Sequence, residues 1–222
     1  MTTLQLPPNE KVRIEKLKSY DILDTPPDGN FERITQLAAA IFKVPIAIIS
    51  LVDSDRIWFK SHYGLPINQI DREPGLCASA ILSNDPYIVE NAIEDPRTLA
   101  NPLVAGDFGL RFYAAAPLQT EENYNLGTLC ILDKTPRTFT PEQKDILKKM
   151  ASIVMDEMEL RLALRNTAHT LKNLSSDIST HLKDTIKNIE GGAGEKTSAN
   201  LISYLEASQM FLSNIENRLD VS

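Results

Sequence analysis

The sequence predicts an α+β fold, an antiparallel sheet of about five to six strands flanked by helices and followed by a long helix and an α-helical hairpin. Three observations carry this expectation. Short β-branched or aromatic runs bounded by turn residues recur between Ile46 and Asp133. Helical patterns are interspersed among those runs rather than following them as a block. Beyond Pro141, apolar residues recur every three, four or seven positions without a turn signal until Gly191.

The elements follow in order. Val12, Ile14, Leu17, Ile22 and Leu23 stand among charges between residues 8 and 22, the pattern of one short amphipathic helix, and Pro26-Pro27-Asp28-Gly29 ends it. With Asn30 as N-cap, Phe31, Ile34, Leu37, Ala38 and Ile41 share one face of a core-packing helix, closed by Val44-Pro45. The runs IAIISLVD and IWFKSHYG flank Asp53-Ser54-Asp55-Arg56 and form a hairpin. A helix CASAILSN from Cys77, a strand YIVE from Tyr87, an irregular loop of about 20 residues, a strand FYAAAPLQ from Phe112 and a strand LGTLCILD from Leu126 complete the sheet region.

Thr138-Phe139-Thr140-Pro141-Glu142-Gln143 offers a threonine N-cap, proline at the first helical position and an acid or amide in the first turn. Ile146, Met150, Ile153, Leu160, Leu164, Leu171, Leu174 and Ile178 then form a heptad-like seam interrupted by Glu157 and Thr167. Gly191-Gly192-Ala193-Gly194 breaks the helix, and Leu201, Tyr204, Leu205, Ser208, Phe211, Leu212, Ile215 and Leu219 make a second stripe. Two helices cannot bury both stripes alone, so two hairpins are expected to associate into a four-helix bundle and the protein to be a parallel homodimer. The domain organisation expected is an N-terminal helical segment at residues 1–26, a globular domain at 27–165 and a helical hairpin dimerisation region at 166–222.

Composition narrows the function. A chain of 222 residues that is 42% hydrophobic buries one core and leaves a helical appendage. A net charge of -7 opposes a nucleic-acid partner, whose affinity comes largely from Lys and Arg. No apolar run approaches the roughly 20 residues that span a bilayer, and the amino terminus lacks the apolar core of a signal peptide, so no membrane partner and a cytoplasmic location are expected. The two cysteines, Cys77 and Cys130, read as reduced thiols, and so few ligands make a metal site unexpected.

The segment from Arg72 to Asp133 carries a family resemblance. Asp95-Pro96-Arg97, Asn101-Pro102-Leu103-Val104, Arg111-Phe112-Tyr113 with Ala116-Pro117-Leu118, and Leu126-Gly127-Thr128-Leu129-Cys130-Ile131-Leu132-Asp133 occur in the order of a GAF domain, which the chain resembles over roughly residues 10 to 165. The resemblance implies a ligand cavity between the sheet and the helices and loops on one face. Arg56, Trp58, Phe59, Cys77, Arg97, Arg111 and Tyr113 are the candidate ligand-binding residues. The aromatics offer a surface and the arginines a clamp for an anionic group, while Trp58 on its strand reads first as core, the arginines near Asp53, Asp95 and Asp107 as loop-fixing ion pairs, and Asp95-Pro96-Arg97 and Asn101-Pro102 as caps that lock their loop.

Family signatures for particular ligands are missing. The NKxxFxxxDE pattern of cyclic-nucleotide-binding GAF domains has no counterpart between residues 110 and 160. Ala78 follows Cys77 and Ile131 follows Cys130, so neither cysteine has the context that attaches a bilin. His62 is the one histidine inside the domain and gives haem no support. No cofactor is therefore expected. Gly75-Leu76-Cys77 is similar to the Gly-Val-Cys segment of free methionine sulfoxide reductases, but those enzymes use several cysteines, and Cys130 reads as a buried, inert strand residue.

In the tail, His169, Leu171, Lys172 and Asn173 resemble the phosphoacceptor helix of dimeric sensor kinases, with Thr170 in place of the acid and Leu174 in place of proline. The expectation is a non-enzymatic signal-transduction protein, a GAF sensory domain that binds a small ligand or partner and acts through a dimeric helical bundle. Response regulators and histidine kinases are the expected partners. Phosphotransfer or docking at His169 is the alternative, and thiol reduction at Cys77 a further one.

Overall fold

A computed structural model describes residues 6–190 and 195–219. The elements are α1 (Glu10–Ser19), α2 (Gly29–Phe42), β1 (Ile46–Val52), β2 (Arg56–Tyr63), β3 (Gln69–Asp71), α3 (Leu76–Ala80), β4 (Tyr87–Val89), α4 (Pro102–Ala105), β5 (Phe112–Gln119), β6 (Asn125–Asp133), α5 (Pro141–Glu190) and α6 (Glu195–Leu219). The chain forms two compact units, the first ending at Leu160 and the second beginning at Arg161.

In the first unit the six strands form one sheet in the order β3-β2-β1-β6-β5-β4, with every neighbouring pair antiparallel. This is the α+β architecture expected. β1 and β6 are buried along their whole length, because helices cover one face and the α3–α4 segment the other; hence IAIISLV reads as a continuous apolar run without alternation. Gly127 permits the close approach of the two central strands, since a Cβ there would lie 1.9 Å from the Ser50 carbonyl oxygen.

The helix before β1 differs from expectation in two respects. Its N-cap is Asp28, whose carboxylate accepts from the Asn30 amide at 3.0 Å, so Asn30 lies one residue inside the helix. Its buried face is Phe31, Thr35, Ala38, Ala39 and Phe42, whereas Leu37 and Ile41 are 54% and 43% exposed. The cause is the partner surface. The Thr35 hydroxyl meets the Ser61 hydroxyl of β2 at 2.9 Å, and this polar contact turns the helix away from the purely apolar face.

β3 and α4 were not foreseen. β3 is three residues long and half exposed, and α4 is a single turn capped by Asn101, which accepts from the Leu103 amide at 2.8 Å. The helix expected from Cys77 to Asn84 starts at Leu76 and stops at Ala80.

α5 opens with the reciprocal Thr140–Gln143 cap that its sequence announces: the Thr140 amide donates to Gln143 Oε1 at 2.9 Å and the Gln143 amide to Thr140 Oγ1 at 3.3 Å. Its first turns bury Leu147, Met150, Val154 and Met158 in the first unit, while Ile146, Ile153 and Leu160 stay exposed.

In the second unit the rest of α5 runs antiparallel to α6. The Ser175 hydroxyl reaches the Leu212 carbonyl and the Gln209 amide reaches the Ser179 carbonyl, so one helix advances as the other returns. Ser175 is buried between them, whereas Leu164, Leu171, Leu174, Ile178, Tyr204, Met210 and Phe211 are exposed. The Gly191–Gly194 breaker and the side chains of Leu201, Ile215 and Leu219 lie outside the described residues. Among the described residues, no helix is long and apolar enough to cross a membrane.

Candidate functional site

The side chains that β1, β2, β5 and β6 turn away from α2 form an apolar layer including Ile48, Phe59, Tyr113, Ala115, Cys130 and Leu132. α3, α4 and the segment leading to Leu110 cover it and leave a cavity of about 80 Å³. Gly75 brings α3 down onto the sheet, because a Cβ there would meet the Ile57 side chain at 2.1 Å. The volume is well below the roughly 300–1,000 Å³ of a drug-sized ligand site. In this conformation the cavity suits an occupant of a few atoms, not a nucleotide or a tetrapyrrole.

Its polar atoms are concentrated at one place. The Tyr113 hydroxyl donates to Cys77 Sγ at 3.2 Å, and Cys77 Sγ lies 4.0 Å from Cys130 Sγ. Both cysteines are free and buried. Behind them the Ser50 and Thr128 hydroxyls, paired across β1 and β6, lie 2.9 Å apart. The Cys130 thiol holds Cys77 below the usual thiol range against the burial that would raise it, and the Ser50, Tyr113 and Thr128 hydroxyls act with Cys130. Burial pushes Cys130 well up, and Cys77 beside it adds to the rise. The opposite directions describe one coupled pair that gives up its first proton more readily than its second.

The candidate residues divide by strand register and by loop chemistry. Phe59, Cys77 and Tyr113 line the cavity. Trp58, next to Phe59 on β2, projects to the opposite face, where Lys60 Nζ stands 5.9 Å from its ring. Arg56 is engaged by Asp24 in two bonds of 2.9 and 2.6 Å and by Gln69. Arg97 clasps Asp95, donates to the Ile88 carbonyl at 2.7 Å and stacks 4.5 Å over Tyr87. Arg111 donates to the Val104 and Leu110 carbonyls at 3.0 and 2.8 Å. All three guanidiniums are thus committed to protein groups, and none of the three arginines lines the cavity.

Arg97 and Arg111 hold the cavity's cover in place. Arg111 ties α4 to the entry of β5, and Asn101 donates to the Pro74 carbonyl at 2.7 Å, tying α4 to the start of α3. From Arg97 an aromatic relay runs inward, because Tyr87 packs edge-on against Tyr113 with ring centroids 6.1 Å apart.

The chain entering α3 is anchored by Arg72, 3% exposed. It donates to the Asp53 carbonyl at 2.9 Å and to Glu10 Oε1 at 2.6 Å. Glu10 also takes two 2.8 Å bonds from Arg13, which is 1% exposed.

Sequence reasoning missed Leu65, Ile67, Leu103, Phe108 and Leu110 as lining residues, for apolar residues in loops or in a single helical turn carry no periodic signal. It also read the two cysteines only as separate reduced thiols. Strand alternation places Thr128, Cys130 and Leu132 on one face, but only the descent of α3 at Gly75 brings Cys77 to that face. In the second unit, His169 is exposed on α5, with the Asn173 amide 3.2 Å from its Nδ1. Among the described residues, no group of three or more His, Cys, Asp or Glu side chains could hold a metal ion.

Comparison with known proteins agrees with this architecture. The profile of the GAF domain family matches residues 26–157. A cyclic di-GMP phosphodiesterase of Pseudomonas aeruginosa is 40% identical over 156 residues, covering 70% of this chain but 27% of that protein. The solved GAF domain of an Acinetobacter phosphoenolpyruvate-protein phosphotransferase matches with a TM-score of 0.52 at 17% identity, over 70% of this chain and 96% of the other. The type II free methionine-R-sulfoxide reductase of Thermoplasma acidophilum matches with a TM-score of 0.50 at 16% identity, over 64% and 94%. At such identities these two structures share the fold alone.

One expectation is corrected by these matches. The chain was expected not to be an enzyme, but its relative at 40% identity is named one. The expectation rested on catalytic signatures missing from 222 residues, and the shared region is 27% of the relative, so that ground does not carry it. With the profile match spanning more than half of the chain and the six-stranded antiparallel sheet in place, the chain belongs to the GAF domain family.

Proposed function

We propose that this chain is a sensory and regulatory signalling module. A small occupant or a chemical change at the cavity shifts the cover between Ile93 and Arg111, and α5 carries the shift into a helical hairpin that works as a homodimer. The carrying observation is α5 itself, one helix of 50 residues whose first turns are buried against the sheet region and whose later turns expose an apolar stripe. Leu164, Leu171, Leu174 and Ile178 on α5 and Tyr204, Met210 and Phe211 on α6 are each at least 41% exposed. A second copy of the hairpin offers the same stripe, which a parallel bundle buries. The cyclic di-GMP phosphodiesterase resemblance over 27% of that protein's length supports a regulatory role beside an output activity.

Native mass spectrometry of the full chain purified from its own host, followed by hydrogen exchange with and without any retained molecule, tests this function. Slower exchange in both the 93–111 cover and the α5–α6 hairpin is expected on occupancy. Protection confined to the cavity would overturn the transmission step. A second reading, phosphoryl relay or docking by response regulators and histidine kinases, is favoured by the exposure of His169. It requires acid-labile phosphate on His169 after incubation with a phosphorylated receiver domain, and its absence would remove that reading.

A further inference from the structure

The cavity's least apolar point is a buried dithiol, and its geometry is that of a bond not yet made. Cys77 Sγ and Cys130 Sγ are 4.0 Å apart, against about 2.05 Å in a disulfide. Cys130 is pinned in a central strand, paired with Ile48 on one side and Ala115 on the other. Cys77 stands on a helix of five residues. The movement that closes the gap therefore belongs to α3. The small side chain of Ala115 beside Cys130 leaves room for it.

We propose that Cys77 and Cys130 are a modification site, a thiol pair that a peroxide-class oxidant converts reversibly into an intramolecular disulfide. The cavity gives such an oxidant a route. Ile67, on its wall, is 42% exposed, and about 80 Å³ exceeds the roughly 10–15 Å³ a water-sized molecule needs. A tripeptide disulfide is far too large for the same space, so the site selects small oxidants over glutathione disulfide.

The chemistry balances in two steps. The Cys77 thiolate attacks one oxygen of hydrogen peroxide; the S–O bond forms, the O–O bond breaks, and the departing hydroxide takes the proton that Cys77 released, giving water and a sulfenic acid. Cys130 sulfur then attacks Cys77 sulfur; the S–S bond forms, the S–O bond breaks, and the hydroxide leaves as water with the Cys130 proton. Two thiols lose two electrons in all, and one peroxide becomes two waters. A small dithiol reductant reverses the bond by exchange. Tyr113 acts as a positioning residue, since its hydroxyl donates to Cys77 Sγ at 3.2 Å and favours the thiolate aimed at the cavity.

The bond itself does not depend on the signalling role proposed above; only its consequence does. Asn101 links α4 to Pro74, three residues before Cys77, so drawing α3 toward β6 pulls on the cover.

The test uses the full chain, treated with hydrogen peroxide or with glutathione disulfide, then unfolded, alkylated and mapped by mass spectrometry. The chain's two cysteines make the assignment unambiguous. The expected result is one linked peptide pair, Cys77 with Cys130, lighter by two hydrogens, formed with peroxide and not with glutathione disulfide, and lost again after dithiothreitol. Both thiols remaining alkylatable, glutathione bound to either cysteine, or oxidation stopping as sulfinic acid on Cys77 would overturn the proposal. Tyr113→Phe keeps the ring and is expected to slow bond formation about tenfold near neutral pH, with the difference vanishing at alkaline pH where both proteins hold the thiolate. An unchanged pH profile would remove Tyr113 from the site. A linked pair with unaltered hydrogen exchange at residues 93–111 would sustain this site and refute the transmission reading instead.

Discussion

Replacing Glu10 with glutamine tests how the chain is held where it enters the site. Glu10 is the only carboxylate bonded to two almost fully buried arginines among the described residues, Arg13 and Arg72 at 1% and 3% exposure. Its bonds to them are 2.6 to 2.8 Å long, and the Arg72 bond is made by Nη1, while Arg72 Nε and Nη2 have no hydrogen-bond partner among the described residues. Removing the charge leaves two guanidiniums uncompensated in a low-dielectric setting, which costs about 3–5 kcal/mol for a broken buried pair. In a unit of this size that lowers the melting temperature by roughly 6–20 °C, at about 2–4 °C per kcal/mol.

Acid should erase the difference. Burial alone would raise the Glu10 carboxyl, but Arg13 and Arg72 hold it below the usual carboxylate range. A folded-state value below the unfolded one means the stabilisation is complete above the ordinary carboxylate range and is lost as the pH falls through the folded value. Urea denaturation of wild type and Glu10→Gln at neutral pH, and again below about pH 4, measures both effects. A neutral-pH difference under about 1 kcal/mol, the range of an exposed pair, or a difference that grows in acid, would refute the reasoning.

Other expectations concern the cover and the close approaches. Gly127→Ala should cost about 3 kcal/mol or more, because its Cβ meets backbone at 1.9 Å, whereas Gly75→Ala meets the movable end of Ile57 and should cost less; denaturation of the two variants side by side decides it. Arg111→Ala leaves the Val104 and Leu110 carbonyls without their donor and should cost about 1–3 kcal/mol. Its mark is faster hydrogen exchange at residues 104–110 with the rest of the sheet unchanged. Arg97→Lys keeps the charge but loses the bidentate grip on Asp95 and should also speed exchange in the loop from Asp95 to Asn101, while equal protection would assign the loop's order to Pro96 and the remaining turn bonds.

The fold was legible where periodicity and capping act locally. Thr140-Pro141 with Gln143 announces α5, and the β-branched runs announce the central strands. The buried face of α2 was misassigned because Thr35 is polar, and only its partner Ser61, 26 positions later, makes it a core residue. The site was legible in its aromatic and thiol members, Phe59, Cys77 and Tyr113. Arg97 was legible as a lock on Asp95, two positions away, but the Asp24 partner of Arg56, 32 positions away, was not, nor was the Cys77–Cys130 contact, which spans 53 positions.

Sedimentation equilibrium of the full chain at micromolar to tens of micromolar concentration, beside a variant carrying Leu171→Asp and Phe211→Asp, tests the central claim most directly. The account requires a homodimer that the double substitution dissociates while the circular dichroism of the sheet domain persists. A wild-type monomer across that range, or a dimer indifferent to both charges, would contradict it.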